Sequence, residues 1–187
     1  ANEYFSSLPE GFAPAEELRA ALTADVQKVQ FVGVAGTAGK TAAAGLLAAI
    51  LREAAFHVGF YRAGCEPLSA RIAIGGVSVD PVLLCQAAEA LNAAKPLPRE
   101  AAELAAAARC FGAAGCKLAV VELPDAGLAS ALPNMPVCAV TAIGPDGVSR
   151  SVERLAALAA GVMRKDAVCV TAPEQPKAVL SELVVAA

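Results

Sequence analysis

The chain has 187 residues, with 15 basic against 18 acidic side chains and only 4% aromatic residues. That length suits one domain with a real core and at most a small appendage. A net charge of −3 and few aromatic rings exclude a basic nucleic-acid surface and a stacking platform for bases.

In chain order, residues 1–27 form a leader whose start, ANEYFSSLPEGF, lacks the basic and apolar segments of a signal peptide. The leader carries one amphipathic helical piece, PAEELRAALTA. VQFVGVA (29–35) reads as a strand, GTAGKT (36–41) as a turn, and 40–55 as a helix. HVGFYRA (57–63) is a second strand. Residues 64–80 form an inserted loop and a hairpin around Gly75-Gly76. Pro81 behind Asp80 reads as the capped start of a helix over 81–94, and a second helix follows over 98–114. Further strands are expected at KLAVVEL (117–123), VCAVTAI (137–143) and AVCVTA (167–172), with helices at 149–163 and 174–185.

Most of these strands are continuous apolar runs, the pattern of strands covered on both faces. Strands separated by helices imply right-handed crossovers and parallel pairing. The fold class is therefore α/β: a three-layer, P-loop-type, mostly parallel sheet flanked by helices. Residues 28–187 are expected to form one domain, with the leader 1–27 packed on it and 64–80 inserted. The longest uncharged run, Ala126 to Pro145, is interrupted by Pro133 and Pro136 and is not a membrane span. The six cysteines include no C-x-x-C pair, and His57 is the single histidine, so a zinc site is not expected. The cysteines read as reduced, structural thiols of a cytoplasmic protein. His57 reads as a half-exposed surface residue.

Gly36 to Thr41 carries the chemistry. A loop between a strand and a helix is the context in which this motif binds phosphate. Gly36 and Gly39 let backbone amides, with those of Thr37 and Ala38, approach phosphate oxygens. The helix N-terminus that follows favours an anion. Lys40 is placed for the β/γ-phosphates of ATP, and the Thr41 hydroxyl for Mg²⁺. The first glycine of the longer Walker pattern is replaced by Val34, while the tighter GTxGKT form is intact. A second metal ligand is expected at the end of a neighbouring strand, and Glu122 stands there. Asp146 could hold a magnesium-bound water, or could simply be the turn residue of PDG.

Five segments, in order, resemble the Mur ligase superfamily, and most closely its folylpolyglutamate synthase/dihydrofolate synthase branch. FVGVAGTAGKT resembles that branch's VAGTNGKGS loop. HVGFYRAGCEPLSARIAIGGVSVD resembles its VGLYTSPHL and ERIRING segment. CKLAVVELPDAGLASALPN resembles the strand bearing its glutamate and the loop ending in DATN. PVCAVTAIGPDG resembles PxxxVITNIGLDH, and LAALAAGVMRKDAVCVTAPEQPKAVLSEL resembles EKAGIIKPGVPVVTGPQxPEALxVL.

The resemblance implies an enzyme that phosphorylates a substrate carboxylate with ATP and lets an amine attack the acyl phosphate, the folate branch adding glutamate to a folate. It also marks departures. The serine before Pro-His has no clean counterpart, with Cys65 or Glu66 as the available substitutes. Ala142 stands for the asparagine of TNIG, Gly147 for the histidine of LDH, and Ala159 for the lysine of EKAG. In the family the chain continues past helix 174–185 into the rest of the ATPase domain and a C-terminal ligase domain, so the ligase reading requires a partner chain to supply those contacts. Arg71 matches the arginine of ERI and is expected in a structural salt bridge, with a substrate contact as the alternative. Three readings stay open: an ATP-dependent ligase domain impaired in catalysis alone, a non-catalytic nucleotide-binding or scaffold relative, and an unrelated P-loop phosphotransferase.

Overall fold

The computed structural model describes residues 1–11, 13–124, 126–145, 151–165 and 167–186. Its centre is a sheet of seven strands: β1 (Gln30–Ala35), β2 (Val58–Tyr61), β3 (Ile72–Ile74), β4 (Val77–Ser78), β5 (Leu118–Glu122), β6 (Val137–Val140) and β7 (Val168–Thr171). The spatial order is β4-β3-β2-β5-β1-β6-β7. The five longer strands pair in parallel, and the β3–β4 hairpin extends the sheet antiparallel to β2. The α/β, mostly parallel architecture expected from the strand–helix rhythm is the one observed.

Among the described residues, eight α-helices surround the sheet: α1 (Asn2–Ser7), α2 (Ala15–Ala20), α3 (Lys40–Glu53), α4 (Leu68–Arg71), α5 (Pro81–Asn92), α6 (Arg99–Ala113), α7 (Val152–Ala160) and α8 (Lys177–Ala186). On one face α3 covers Val34, Val58 and Val120 through Ala44, Leu47 and Leu51. On the other, Phe31, Tyr61, Val121 and Cys138 join the main core beneath the remaining helices. The alanine bias of α6 has a packing reason. Ala101, Ala102 and Ala105 to Ala108 are all buried, so the small side chains let α6 pack closely inside the molecule. Phe111 on α6 lies so close to β2 that a Cβ at Gly59 would stand 2.4 Å from its ring. Asp80 caps α5 by accepting from the Val82 N–H at 2.8 Å, with Pro81 in the first turn.

Three expectations change. The strand over 167–172 is not covered on both faces: β7 is the sheet's edge, and Val168 and Val170 are exposed. The leader holds two helices, because Tyr4 and Phe5 anchor α1 beside the expected α2. The insert 64–80 includes the single turn α4 before its hairpin. Among the described residues no helix is long and apolar enough to cross a membrane.

Candidate functional site

The parallel strands bring the chemistry to one end of the sheet. β1 lies between β5 and β6, and Glu122 pairs in register with Val34, at the last turn of chain before the loop. Gly36 has φ +128°, and a Cβ there would lie 2.3 Å from Thr141 Oγ1, so the position requires glycine. Gly39, at φ +81°, is the left-handed residue that admits the chain into α3. A helix leaves its first N–H groups without internal partners, and α3 begins at Lys40, directly behind this loop.

Thr41 Oγ1 donates to Glu122 Oε2 at 2.9 Å. Glu122 is only 4% exposed, and among the described residues it forms no ion pair. A buried carboxylate with a hydroxyl as its partner among the described residues has the oxygen chemistry that a hard cation takes. No cluster of three or more acidic, histidine or cysteine ligands occurs among the described residues. Two protein oxygens nonetheless suit Mg²⁺, which takes its remaining ligands from water and phosphate. Lys40 Nζ donates to the Gly36 carbonyl at 2.9 Å, folding the ammonium back over the loop.

The loop is braced from the side by the segment after β6. The Ala142 carbonyl accepts from the N–H groups of Thr37 and Ala38, both at 3.1 Å, and from Thr37 Oγ1 at 3.1 Å. The Gly144 N–H donates to Thr37 Oγ1 at 2.9 Å. The Thr37 and Ala38 amides thus face Ala142. Asp146, Gly147 and Asp125 lie outside the described residues.

A cavity of about 540 Å³ opens over the loop between Gly36, Thr37, Lys40, Pro124 and α7. Arg154, in the first turn of α7, adds a second cation to its wall, and Ala159 lines it from the same helix. Sequence reading missed Arg154, which no motif marks. A second cavity, about 660 Å³, adjoins the first and shares Glu100 and Pro124 with it. Its wall includes the buried pair Arg71–Glu103, 2.5 Å apart, and Tyr61, whose hydroxyl burial pushes well above the ordinary phenol range. Arg71 is therefore in the expected salt bridge. Cys65 and Glu66 sit in the wall of the second cavity. Glu66 is exposed and paired with Arg62 at 2.8 Å, and its own backbone N–H and that guanidinium hold its carboxyl below the usual range. His57 is exposed.

No protein-family model matches the chain, and no curated protein sequence does. Solved structures do match. A folylpolyglutamate synthase (FPGS)–AMPPCP–folate complex superposes over 98% of this chain at a TM-score of 0.82 and 20% identity. The Mycobacterium tuberculosis folylpolyglutamate synthase complexed with ADP covers the same 98% at a TM-score of 0.81 and 21% identity. The Thermotoga maritima folylpolyglutamate synthase does so at 0.85 and 16%. The chain spans about half the length of these proteins, between 46% and 50%. It has the fold of that half over almost its entire length.

Proposed function

We propose that this chain is the ATP-binding half of an amide ligase of the folylpolyglutamate synthase/Mur type, impaired in turnover on its own. The observation that carries the reading is the Thr41–Glu122 hydrogen bond beside Lys40, which brings a hydroxyl, a carboxylate and an ammonium group to one glycine-containing loop. Nucleotide-bound structures of the same fold support ATP as the ligand. Gly36 and Gly39 shape the loop, and Thr37 and Ala38 brace it. The Gly39, Lys40 and Thr41 amides hold phosphate, and Lys40 leaves Gly36 for the β/γ-phosphates. Thr41 and Glu122 would hold Mg²⁺, with Asp146 as a further candidate. Bound there, the ion would neutralise phosphate charge during phosphoryl transfer to a carboxylate. Arg154 adds positive charge to the same cavity. Folate is the carboxylate suggested by the folate-bound relative.

The second reading is a non-catalytic nucleotide-binding module. Ala159 favours it, because a methyl group lines the loop cavity where the resembling family keeps a lysine. A ligase completed by a partner chain would remain silent until that partner is added.

ADP release with folate and glutamate tests the proposal. The chain alone is expected to give little or no turnover while still binding ATP. Robust folate-dependent ADP release by this chain alone would overturn the impairment.

A further inference from the structure

Gln175 was not singled out by the sequence, yet it is one of the few buried polar side chains, at 8% exposure. Its amide is used at both ends. Oε1 accepts from the Ile143 N–H at 3.1 Å, and Nε2 donates to the Thr141 carbonyl at 2.9 Å and to Thr171 Oγ1 at 3.2 Å. A primary amide offers an acceptor and two donors on one plane, which no hydroxyl or carboxylate of that reach can do. Thr141 and Ile143 flank Ala142, the residue whose carbonyl receives Thr37 and Ala38 of the phosphate loop.

We infer that Gln175 is a positioning residue for the phosphate loop, acting through segment 141–144. The segment lies beyond the last ladder residue of β6. Thr141 is still tied to β1, its N–H and Oγ1 both donating to the Ala35 carbonyl at 2.9 and 3.1 Å, whereas Ala142 to Gly144 extend past the sheet. One side of the segment grips Gln175 and the other grips Thr37, Ala38 and Gly36, where Thr141 Oγ1 and its carbonyl fill the space a Cβ would need. Without the amide, the Ile143 N–H and the Thr141 carbonyl lose their partners in a buried place, and the cheapest relief is a shift of the segment toward water. Ala142 then leaves the Thr37 and Ala38 amides. A loop that was held ready must be ordered at the expense of nucleotide binding. The part of this inference that concerns nucleotide rests on the proposed ATP site. The bracing itself does not.

The test separates the two. Amide hydrogen exchange is followed in the nucleotide-free chain for wild type, Gln175→Leu and Gln175→Glu, the last retaining the acceptor for Ile143 but neither donor. Exchange at Thr37 and Ala38 is expected to quicken about tenfold in Gln175→Leu and less in Gln175→Glu, with the amides of α6 unchanged. Unchanged exchange at Thr37 and Ala38, or an equal rise throughout the chain, overturns the inference. Should Gln175→Leu fail to fold, Gln175→Glu decides by the same criterion.

Calorimetry with Mg-ATP adds a second arm. Gln175→Leu is expected to weaken binding about tenfold in the wild-type background and much less in Thr37→Val, since both changes break the same clamp. Additive losses overturn the coupling. A wild-type chain that binds no ATP contradicts the nucleotide reading and leaves the exchange experiment to decide the role of Gln175.

Discussion

Thr41 and Glu122 are 81 residues apart in sequence and 2.9 Å apart in space, joined by a hydrogen bond from hydroxyl to carboxylate. Parallel pairing of β1 with β5 produces the contact, because it sets the C-terminal end of one strand beside the loop that follows the other. If these oxygens hold Mg²⁺, Glu122→Gln keeps the shape and removes the charge. ATP affinity measured with Mg²⁺ should fall about ten- to a hundredfold, and chelation by EDTA should then change it little. A mutant with the wild-type response to Mg²⁺ would remove Glu122 from the metal site.

Gly36→Ala places a methyl group 2.3 Å from Thr141 Oγ1 at a φ of +128°. Either the β1 end or the 141–144 segment must move. Thermal melts are expected to show a loss of about 1–3 kcal/mol, accompanied by loss of ATP binding. A melting curve like that of the wild type would show that the loop adopts another course.

Arg71 and Glu103 form an ion pair with side chains 3% and 8% exposed. Arg71 also donates to the Glu66 carbonyl at 2.8 Å. Removing one partner strands a buried charge, so Glu103→Leu should cost about 3–5 kcal/mol in urea unfolding. The double change Arg71→Met with Glu103→Leu should cost much less, because no charge is left unpaired. Equal costs for the single and double variants would show that the pair's packing matters and its charge does not.

Cys138 and Cys169 are register partners on β6 and β7. The neighbouring Cys138 thiol holds Cys169 below the ordinary thiol range, down to about 7, against the opposing effect of burial. The same contact, with burial, pushes Cys138 far above the ordinary thiol range. A thiol whose acidity is raised in this way is a thiolate above that pH and a weaker nucleophile below it. Iodoacetamide labelling of Cys169, read by peptide mass spectrometry, should therefore climb through about pH 7. Buried Cys110 and Cys116, pushed up to about 12 and about 11, should stay unlabelled there. Labelling of Cys169 that begins only near about pH 9 would show that Cys138 does not lower it.

The loop and its strand were legible because local chemistry determines both. An apolar run, two glycines and a lysine in six residues leave few alternatives, and Glu122 was readable as a lone acid closing a buried strand. What stayed hidden depends on distant backbone atoms. Gln175 acts on carbonyl and amide groups 32 and 34 residues away, and nothing in its neighbours' identities signals that. Arg154 reaches the cavity only because α7 packs beside the segment following Pro124. The edge position of β7 was masked by composition, since Val168 and Val170 look like core residues until the strand order is known. Arg71 was readable as a salt-bridge residue, whereas its partner on α6 required the fold.

The central claim is that Gly36 to Thr41 binds nucleotide phosphate with Lys40 as the cation. Lys40 Nζ now rests 2.9 Å from the Gly36 carbonyl, a neutral acceptor it would exchange for a phosphate. Titration calorimetry of wild type and Lys40→Ala with Mg-ATP, and with ADP for comparison, measures that exchange directly. The wild type is expected to bind, with a loss of about tenfold or more in Lys40→Ala, the worth of a hydrogen bond to a charged group. Identical isotherms for the two proteins would contradict it.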